Sequence, residues 1–448
     1  MEFCQSFSEF FVVRGKDSSP HAKAYLSGLL GKQQRKNIGQ IEEDVAESNY
    51  QAMQQLVSDS PWDHHAVMAA VAEQADGMIG GHRDSALYID ESGFAKKGTH
   101  SVGVQRQYCG RLGKIENCQV GVFTCLSCHD RSALVDFRLF LPEQWARDEE
   151  RCAKAKVPEA ERCHRTKAEL ALEMVKKARA RGLRFEWVGG DEVYGNNQQL
   201  TDALEEEGEV FLMDVASNVK VWERDPRPVQ PQQPTRTKGT GLGRPFSRTK
   251  ASDTEARYAT VAELAKEAFQ DQARVITLRE STKGKLKYPI WVKEVWQWEI
   301  GQPKARRRLL VVRKEADGSF KYSLTNAAAN TSWERLGFMQ AQRFWIERSF
   351  QDAKSELGMA DYEVRSWRGW HHHMALVCMA LLFTTQERLL AFEDTPLLSV
   401  RDIVELLAYY LPRRNSTAEE IERRIRRRHT LRAKAIESGR KRSNFVTK

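Results

Sequence analysis

The alternation of apolar and polar residues divides the chain into helical ends and a strand-rich middle. Residues 1–80 lack the two-residue period of strands and are interrupted by proline and glycine clusters, which predicts several short helices. From residue 85 onward, short apolar runs predict three strands, then a helix, a strand, a helix and a strand. The predicted strands lie at 86–89, 119–127, 132–140, 183–188 and 209–215, and the helices at 167–180 and 197–206. This order predicts an α/β fold in which helices flank a sheet.

Residues 216–326 interrupt this pattern and predict a β-rich insertion. Residues 225–250 are rich in proline, glycine and basic residues and have few apolar anchors, which predicts a mobile loop. Strand-like runs follow at 274–279, 288–300, 308–314 and 320–324. The last two runs are separated by Asp317-Gly318, which is a hairpin signal. The insertion is basic, and Arg306 and Arg307 lie at the start of a predicted strand, where they would suit a phosphate backbone.

The stretch from Gln340 to His373 begins with the period of one amphipathic helix. Arg343, Glu347 and Lys354 share one narrow face, so that a carboxylate lies between two cations. The adjoining face is apolar and is predicted to pack on a core; it consists of Ile346, Phe350, Ala353 and Leu357. Considered alone, the charged face is better explained by ordinary surface ion pairs. The acidic residues upstream change that interpretation.

Two aspartates follow predicted strands. Asp90 comes after the apolar run 86–89, and Asp191 comes after Gly189-Gly190, where we expect glycine to allow a sharp turn. Ligands of open α/β sheets gather at the carboxyl ends of strands. Together with Glu347, these acids offer oxygen ligands from three directions, which suits Mg²⁺ or Mn²⁺. Two such ions about 3.5–4 Å apart support in-line phosphoryl displacement, with Arg343 and Lys354 meeting the phosphate.

The composition and charge indicate a soluble globular protein that contacts a polyanion. Of the 448 residues, 41% are hydrophobic and 29% are charged, and the net charge is +9. No apolar run approaches the ~20 residues of a membrane span, and no basic leader precedes an apolar core, so we expect a cytoplasmic location and no membrane partner. Residues 401–448 carry 14 Lys and Arg against 6 Asp and Glu, which favours nucleic acid as the partner.

Eight cysteines in a chain of this length are expected to stay reduced and not to form a disulfide framework. Cys125-Leu-Ser-Cys128-His129 matches the short haem-attachment pattern, but it lies in an apolar, strand-like run. We therefore expect no haem and favour buried free thiols, with a zinc site as the less favoured alternative.

Three motifs resemble the insertion-sequence transposases of the DDE class, and among them the IS-seven-oh-one group, which is allied to the IS-four group. The first motif is Asp90-Glu-Ser-Gly with KKGTHSVGVQRQYCGRLGKIENCQVGV, and the second is Gly190-Asp191-Glu-Val-Tyr-Gly195. The third is RFWIERSFQDAKSELGMADYEVRSWRGWHHH. The resemblance runs from about Tyr25 to about Leu382 and is carried by the three motifs together.

The resemblance implies an RNase H-like mixed sheet with flanking helices, helical N- and C-terminal regions, and a β-rich insertion before the helix of the third acid. It implies that Asp90, Asp191 and Glu347 are catalytic and hold two Mg²⁺ or Mn²⁺ ions. The signature of the related IS-four group is Tyr, two residues, Arg, three residues, Glu, six residues, Lys. Arg343, Glu347 and Lys354 match this signature, whereas Gln340 replaces the Tyr.

These expectations divide the chain into five segments. They are a helical DNA-binding region (1–80), a first catalytic part (81–215), the insertion (216–326), a second catalytic part with the third acid (327–395) and a basic helical region (396–448). The residues expected to contact DNA phosphates are Arg343, Lys354, Lys96, Lys97, Arg106, Lys114, Arg306, Arg307, Arg423, Arg424 and Arg427.

The histidines that end the third motif are expected to pack and to make contacts on the DNA side. Successive helix positions diverge by about 100°, so His371, His372 and His373 cannot converge on one metal ion.

The expected function is a DNA transposase that binds terminal inverted repeats, cleaves phosphodiester bonds and joins the resulting 3′-hydroxyl ends to target DNA, as a homodimer on DNA near the nucleoid. One alternative is a transposase-derived DNA-binding protein without catalysis, which the presence of all three acids opposes. Another is an RNase H-like nuclease that acts on RNA or on repair intermediates. Imperfect inverted repeats around the gene would favour the transposase.

Overall fold

The computed structural model describes residues 2–230, 248–281, 284–415 and 417–446. The chain folds as two units. The first combines the N-terminal segment up to Val67 with the C-terminal segment from Asp352, and the second comprises Met68–Gln351. Chain ends that are more than 280 residues apart in sequence therefore share one unit.

The N-terminal segment is helical, as its lack of strand alternation predicts. Its helices are α1 (Glu2–Gln5), α2 (Ser19–Leu29), α3 (Ile38–Asp44), α4 (Tyr50–Ser58) and α5 (His64–Ile79), and a short hairpin joins β1 (Val12–Val13) to β2 (Lys16–Asp17). Asn37 and Asn49 cap α3 and α4 by accepting hydrogen bonds from backbone N–H groups of the first turn.

A large mixed sheet organises the second unit. Its first strands are β3 (Ser85–Ala95), β4 (Gln105–Cys109), β5 (Lys114–Cys128), β6 (Arg131–Leu139), β7 (Trp187–Gly190) and β8 (Phe211–Val215). The intervening helices are α6 (Glu143–Ala146), α7 (Glu149–Lys154), α8 (Lys167–Ala180), α9 (Glu192–Gly195) and α10 (Gln198–Glu206). β5 pairs with β3 and β6 in antiparallel fashion, whereas β3, β7 and β8 are parallel neighbours. This is the expected RNase H-like arrangement.

One expectation about this sheet is wrong. β3 does not end before Asp90 but continues through it to Ala95, because β5 pairs with it along its whole length. The polar segment after β3 contains β4, whose alternating exposed and half-buried residues pair with β5 as an outer strand.

The insertion is β-rich, as predicted, and it extends the same sheet. Its elements are β9 (Lys220–Trp222), β10 (Pro228–Val229), β11 (Lys250–Ala251), β12 (Tyr258–Thr260), α11 (Val261–Gln272), β13 (Arg274–Ser281), β14 (Gly284–Gln297), β15 (Arg306–Lys314) and β16 (Phe320–Thr325). β16 pairs with β8, so most strands of the insertion belong to the same sheet, which has 12 strands in the described residues. β10 and β11 form a separate pair. Gly318 adopts a φ of 87° in the predicted hairpin turn. Residues 231–247 of the predicted loop lie outside the described residues.

The predicted helix from Gln340 is interrupted. α12 (Trp333–Ala341) ends before Arg343, and α13 (Phe344–Ser355) begins after it. The apolar stripe of α13 is buried as expected, since Ile346, Ala353 and the following Leu357 are all 0% exposed. Gln340 and Glu347 therefore lie on different helices.

Three further helices complete the first unit: α14 (Trp367–Leu390), α15 (Val400–Tyr410) and α16 (Ala418–Val446). α14 is the core helix of this unit, and its three histidines pack as expected. His371, His372 and His373 are 2%, 1% and 0% exposed. His372 stacks on Trp62, and burial lowers its pKa to about 4. The expected contacts of these histidines on the DNA side are wrong, because their rings have no access to the surface.

The arginine-rich helix α16 is paired with acidic residues of α3. Glu42 has a side chain that is only 8% exposed and forms ion pairs with Arg414, Arg423 and Arg427. Arg428 donates to Glu43 from its Nε at 3.1 Å. Buried carboxylates therefore fix a helix that has few apolar residues of its own.

Glu42→Gln is expected to loosen α16. It removes the charge that holds three arginines, and hydrogen bonds to charged groups contribute about 1.5–3 kcal/mol. The measurement is the rate at which trypsin cleaves within α16 in the full chain, which should rise severalfold. Glu422→Gln is the matched control, because its partner Arg426 is 82% exposed and such pairs contribute little. Equal cleavage rates in the two variants would contradict the role of Glu42.

Candidate active site

Three aspartates lie at the same level of three neighbouring parallel strands. Ile89 of β3 pairs with Gly190 of β7, and Gly190 pairs with Met213 of β8. An aspartate follows each of these three paired residues in the sequence: Asp90, Asp191 and Asp214. Neighbouring strands are about 4.8 Å apart, and residues at one level point to the same face. The register alone therefore gathers three carboxylates in one place.

The glycines around Asp191 serve close packing. The expectation that Gly189 and Gly190 allow a sharp turn is wrong, because both lie inside β7 and have no positive φ. A Cβ on Gly189 would lie 2.3 Å from the ring of Tyr88, and a Cβ on Gly195 would lie 1.9 Å from the carbonyl oxygen of Asp214. Only glycine allows α9 to approach β8 this closely.

Arg343 connects the aspartates to Glu347. Its Nη2 is 2.8 Å from Glu347 Oε1, its Nε is 3.0 Å from Asp214 Oδ2, and its Nη1 is 3.8 Å from Asp90 Oδ2. The break between α12 and α13 places Arg343 where one guanidinium reaches two strands and a helix. The structure thus brings Asp90, Asp191 and Glu347 into one cluster, as predicted from the sequence.

The cluster is poorly solvated. Burial, together with the Asp191 and Glu347 carboxylates, raises the pKa of Asp90 to about 7 against the lowering effect of Arg343. Burial also raises the pKa of Asp191 to about 6. Burial alone would lower the pKa of Arg343, but the surrounding carboxylates raise it by more, so its pKa is above the usual range. One arginine does not neutralise four acids, so this site carries excess negative charge near neutral pH.

Asp214 and Gln340 belong to a hydrogen-bonded chain that supports Arg343. Gln340 donates from its Nε2 to Ser323 Oγ at 2.8 Å, and Ser323 donates to Asp214 Oδ1 at 2.6 Å. Asp214 then accepts from Arg343 through its other oxygen. Sequence reasoning missed Asp214. The signal was available, because Asp214 lies near the end of the predicted strand 209–215, just as Asp191 lies after the end of the preceding predicted strand. Gln340 is only 4% exposed and forms the buried end of this hydrogen-bonded chain.

The donor set fits divalent metal ions. Mg²⁺ and Mn²⁺ prefer carboxylate oxygens, and a cation would stabilise the charged form of Asp90, whose pKa is raised by burial and by the Asp191 carboxylate. Asp90 is the only one of the three catalytic candidates to lie inside a strand; Asp191 caps α9, and Glu347 lies in the first turn of α13. Glu91, next to Asp90, instead forms a 2.7 Å ion pair with Lys167.

A cavity of about 190 Å³ adjoins Glu347 on the side of the insertion. Its lining includes Tyr288, Arg313 and Lys321 from the insertion, and Arg343 from the acidic cluster. The insertion therefore supplies cations next to the site.

The predicted phosphate contacts other than Arg343 and the paired arginines lie around β3–β5 and on α13. Lys96 and Lys97 follow β3, Arg106 lies on β4 and Lys114 begins β5; Lys97 and Arg106 are exposed, and Lys114 is 63% exposed. Lys354 lies in the last turn of α13.

The remaining arginines are ion-paired within the protein. Arg306 contacts Asp202, Glu205 and Glu206 at 2.7–2.9 Å, and Arg307 contacts Glu294 at 3.2 Å. In the first unit, Arg423 and Arg427 contact Glu42, and Arg424 contacts Glu420. Their contacts with DNA stay predictions.

A family model described as DDE superfamily endonuclease matches residues 2–285, which is more than half of the chain. The protein belongs to the DDE superfamily of endonucleases. The matched part of this DDE endonuclease contains Asp90 and Asp191 and ends before Glu347. The role of Glu347 as third acid stays a prediction, which its contact with Arg343 supports.

A protein of Microchaete diplosiphon named "Probable transposase for insertion sequence element IS701" is 29% identical over 221 residues. These residues make up 48% of the present chain and 53% of that relative. The chain thus spans about half the length of the curated relative it matches.

Cys125 and Cys128 are buried, and neither forms a disulfide bond. Among the described helices, none is both long and apolar enough to cross a bilayer.

Asp90→Asn is expected to flatten the pH dependence of stability in the metal-free protein. Folded Asp90 has a pKa of about 7, whereas an unfolded aspartate titrates near about 3.9, so the folded state binds more protons between these values. Its stabilising contribution is therefore present at low pH and is lost as pH rises towards 7. Between about pH 5 and 8, the free energy of unfolding of the variant should gain about 2–3 kcal/mol relative to the wild type.

The measurement is urea unfolding in EDTA. Glu192→Gln is the control, because Glu192 is an exposed acid next to the site. Parallel stability curves for Asp90→Asn and the wild type would show that Asp90 titrates normally.

Asp214→Asn is expected to weaken metal binding without unfolding the protein. Without this carboxylate, Arg343 is held more tightly by Asp90 and Glu347 and competes with a divalent ion. Calorimetric titration with Mg²⁺ should give a dissociation constant about threefold to tenfold higher, which corresponds to roughly 1 kcal/mol. An unchanged Mg²⁺ affinity, with Asp214→Asn folded by its thermal transition, would contradict this role.

Proposed function

We propose that this DDE endonuclease is a DNA transposase that cleaves the ends of an insertion sequence and transfers the resulting 3′-hydroxyl groups to target DNA. The observation that carries the proposal is the cluster of Asp90, Asp191 and Glu347 around Arg343. The name of the relative supports it for the half of that protein that the chain matches.

Asp90, Asp191 and Glu347 would hold two Mg²⁺ or Mn²⁺ ions. Bound there, such ions activate a water or a 3′-hydroxyl and stabilise the leaving oxygen in an in-line displacement. Arg343 has a planar guanidinium that can bind a phosphate in bidentate fashion once a metal ion takes over Asp90 and Glu347. Lys354 would add a point charge from the same helix, α13. No protein nucleophile is needed for this chemistry.

DNA would approach along two sets of cations in the second unit. One set consists of Lys96, Lys97, Arg106 and Lys114 around β3–β5, and the other consists of Arg313 and Lys321 in the cavity beside Glu347. Arg313 is paired with Glu315 in that cavity, so it would have to exchange this carboxylate for a phosphate. Arg306, Arg307, Arg423, Arg424 and Arg427 would have to exchange their carboxylate partners for phosphates. We therefore assign the first contacts with DNA to the exposed cations around β4.

A homodimer on DNA follows from the reaction, since two element ends must be held together. The competing function is a DNA-binding protein without catalysis. The assembly of all three acids on one surface, with the raised pKa of Asp90, favours catalysis.

Single replacement of a catalytic acid is expected to abolish strand cleavage. Asp90→Asn, Asp191→Asn and Glu347→Gln should each lower cleavage of DNA that carries the flanking ends by about 10²-fold or more, because each removes a group that stabilises charge in the transition state. Binding of the same DNA in a mobility-shift assay should stay within about threefold of the wild type.

Glu192→Gln is the matched control and should retain cleavage, since Glu192 is exposed and outside the cluster. Cleavage by the wild type in EDTA would contradict the metal-dependent mechanism. Retained cleavage by Glu347→Gln would contradict the assignment of the third acid.

A further inference from the structure

We propose that His82, Cys128 and His129 form a zinc site that fastens the turn before β3 to the β5–β6 hairpin. One nitrogen of each histidine and the sulfur of Cys128 lie within 4.8 Å of one another. The group is separate from the acidic cluster, because Cys128 pairs with Ser85 at the start of β3, five residues before Asp90. Within the described residues, these three side chains already have their ligand atoms at the spacing of a single metal ion.

One of the three ligand–ligand distances already has the value of a tetrahedral site, and the others are within 4.8 Å. Zinc bonds of about 2.0–2.3 Å place neighbouring ligand atoms about 3.3–3.6 Å apart. Cys128 Sγ is 3.6 Å from His82 Nδ1. A ligand set of two imidazoles and a thiolate is of intermediate softness, which selects zinc over magnesium.

The β5–β6 turn brings His129 next to Cys128. Cys128 pairs with Arg131, so His129 and Asp130 form a two-residue hairpin turn. The φ of 53° at His129 is the positive value that such a turn requires at its first position. The turn therefore explains the backbone of His129, and the case for a metal site comes from the ligand atoms.

Asp84 places a negative charge beside the group. Asp84 Oδ2 is 3.1 Å from His129 Nε2 and 3.8 Å from His82 Nδ1, and its side chain is only 10% exposed. The other oxygen of Asp84 accepts a hydrogen bond from Arg335 of α12. Because Asp84 faces the same His82 nitrogen that lies 3.6 Å from Cys128 Sγ, its charge favours a cation at this position. The haem-like motif thus contributes Cys128 and His129 to the site, while Cys125 lies elsewhere, beside Ser349.

Cobalt substitution tests the proposal in the full-length protein. After removal of metals with EDTA, Co²⁺ should bind with roughly one equivalent per chain that gives a thiolate-to-cobalt charge-transfer band, as expected for a site with one cysteine ligand. Zn²⁺ should displace the band. The acidic cluster has no sulfur, so Asp90→Asn should keep the band, which distinguishes the two metal sites.

Cys128→Ser and His129→Asn should lose the band. Asparagine tolerates a left-handed backbone, so His129→Asn removes a ligand and keeps the turn. Cys163→Ser is the matched control, because Cys163 is an exposed thiol outside the group. Zn²⁺ should also raise the thermal unfolding midpoint of the wild type and not that of His129→Asn. A wild type without the band, or Cys128→Ser with it, would overturn the proposal.

Discussion

The structure of the site depends on the repulsion between carboxylates that the sheet register forces together. Asp90, Asp191 and Asp214 follow residues that pair directly across three parallel strands, so their spacing is set by backbone hydrogen bonds. The side chains cannot separate without breaking the sheet. Burial is the main cause of the raised pKa of Asp90, and the neighbouring Asp191 carboxylate adds to it. A binding site for cations is the chemical consequence of acids that are held close together and away from water.

Arg343 makes this arrangement tolerable in the metal-free protein. Its guanidinium contacts Asp214, Glu347 and, at longer distance, Asp90. Because the contact with Asp90 is 3.8 Å and those with Asp214 and Glu347 are 2.8–3.0 Å, a metal ion would first compete for the weakly held Asp90. Asp214 and the chain from Gln340 through Ser323 keep the arginine anchored on the opposite side. Gln340, in place of the signature tyrosine, thus acts on the arginine through two other side chains.

Much of this could be predicted from sequence, because it depends on local pattern. The predicted helix 167–180 has its observed bounds, and Thr166 and Glu169 form a capping box at its start. The three acids proposed as catalytic could be selected because each follows or lies within a strongly patterned segment. What the sequence could not show depends on pairing between distant strands. Asp214 joins the site only through the β7–β8 register, and the insertion joins the sheet only because β16 pairs with β8. The break before α13 has no proline or glycine to mark it.

Charge is the property that sequence describes least well, because a sum of charges does not show which of them are paired. Arg306 and Arg308 sit among the acids of α10, and Arg423 and Arg427 sit on Glu42, so four prominent arginines are already neutralised inside the protein. The excess of cations near the C-terminus therefore overstates how much positive charge that region offers to a polyanion. Around β4, Lys97 and Arg106 are exposed, and Lys114 is 63% exposed although it pairs with Glu116. What a surface offers to a polyanion therefore depends on which cations are exposed and weakly paired, and a count of arginines does not give that.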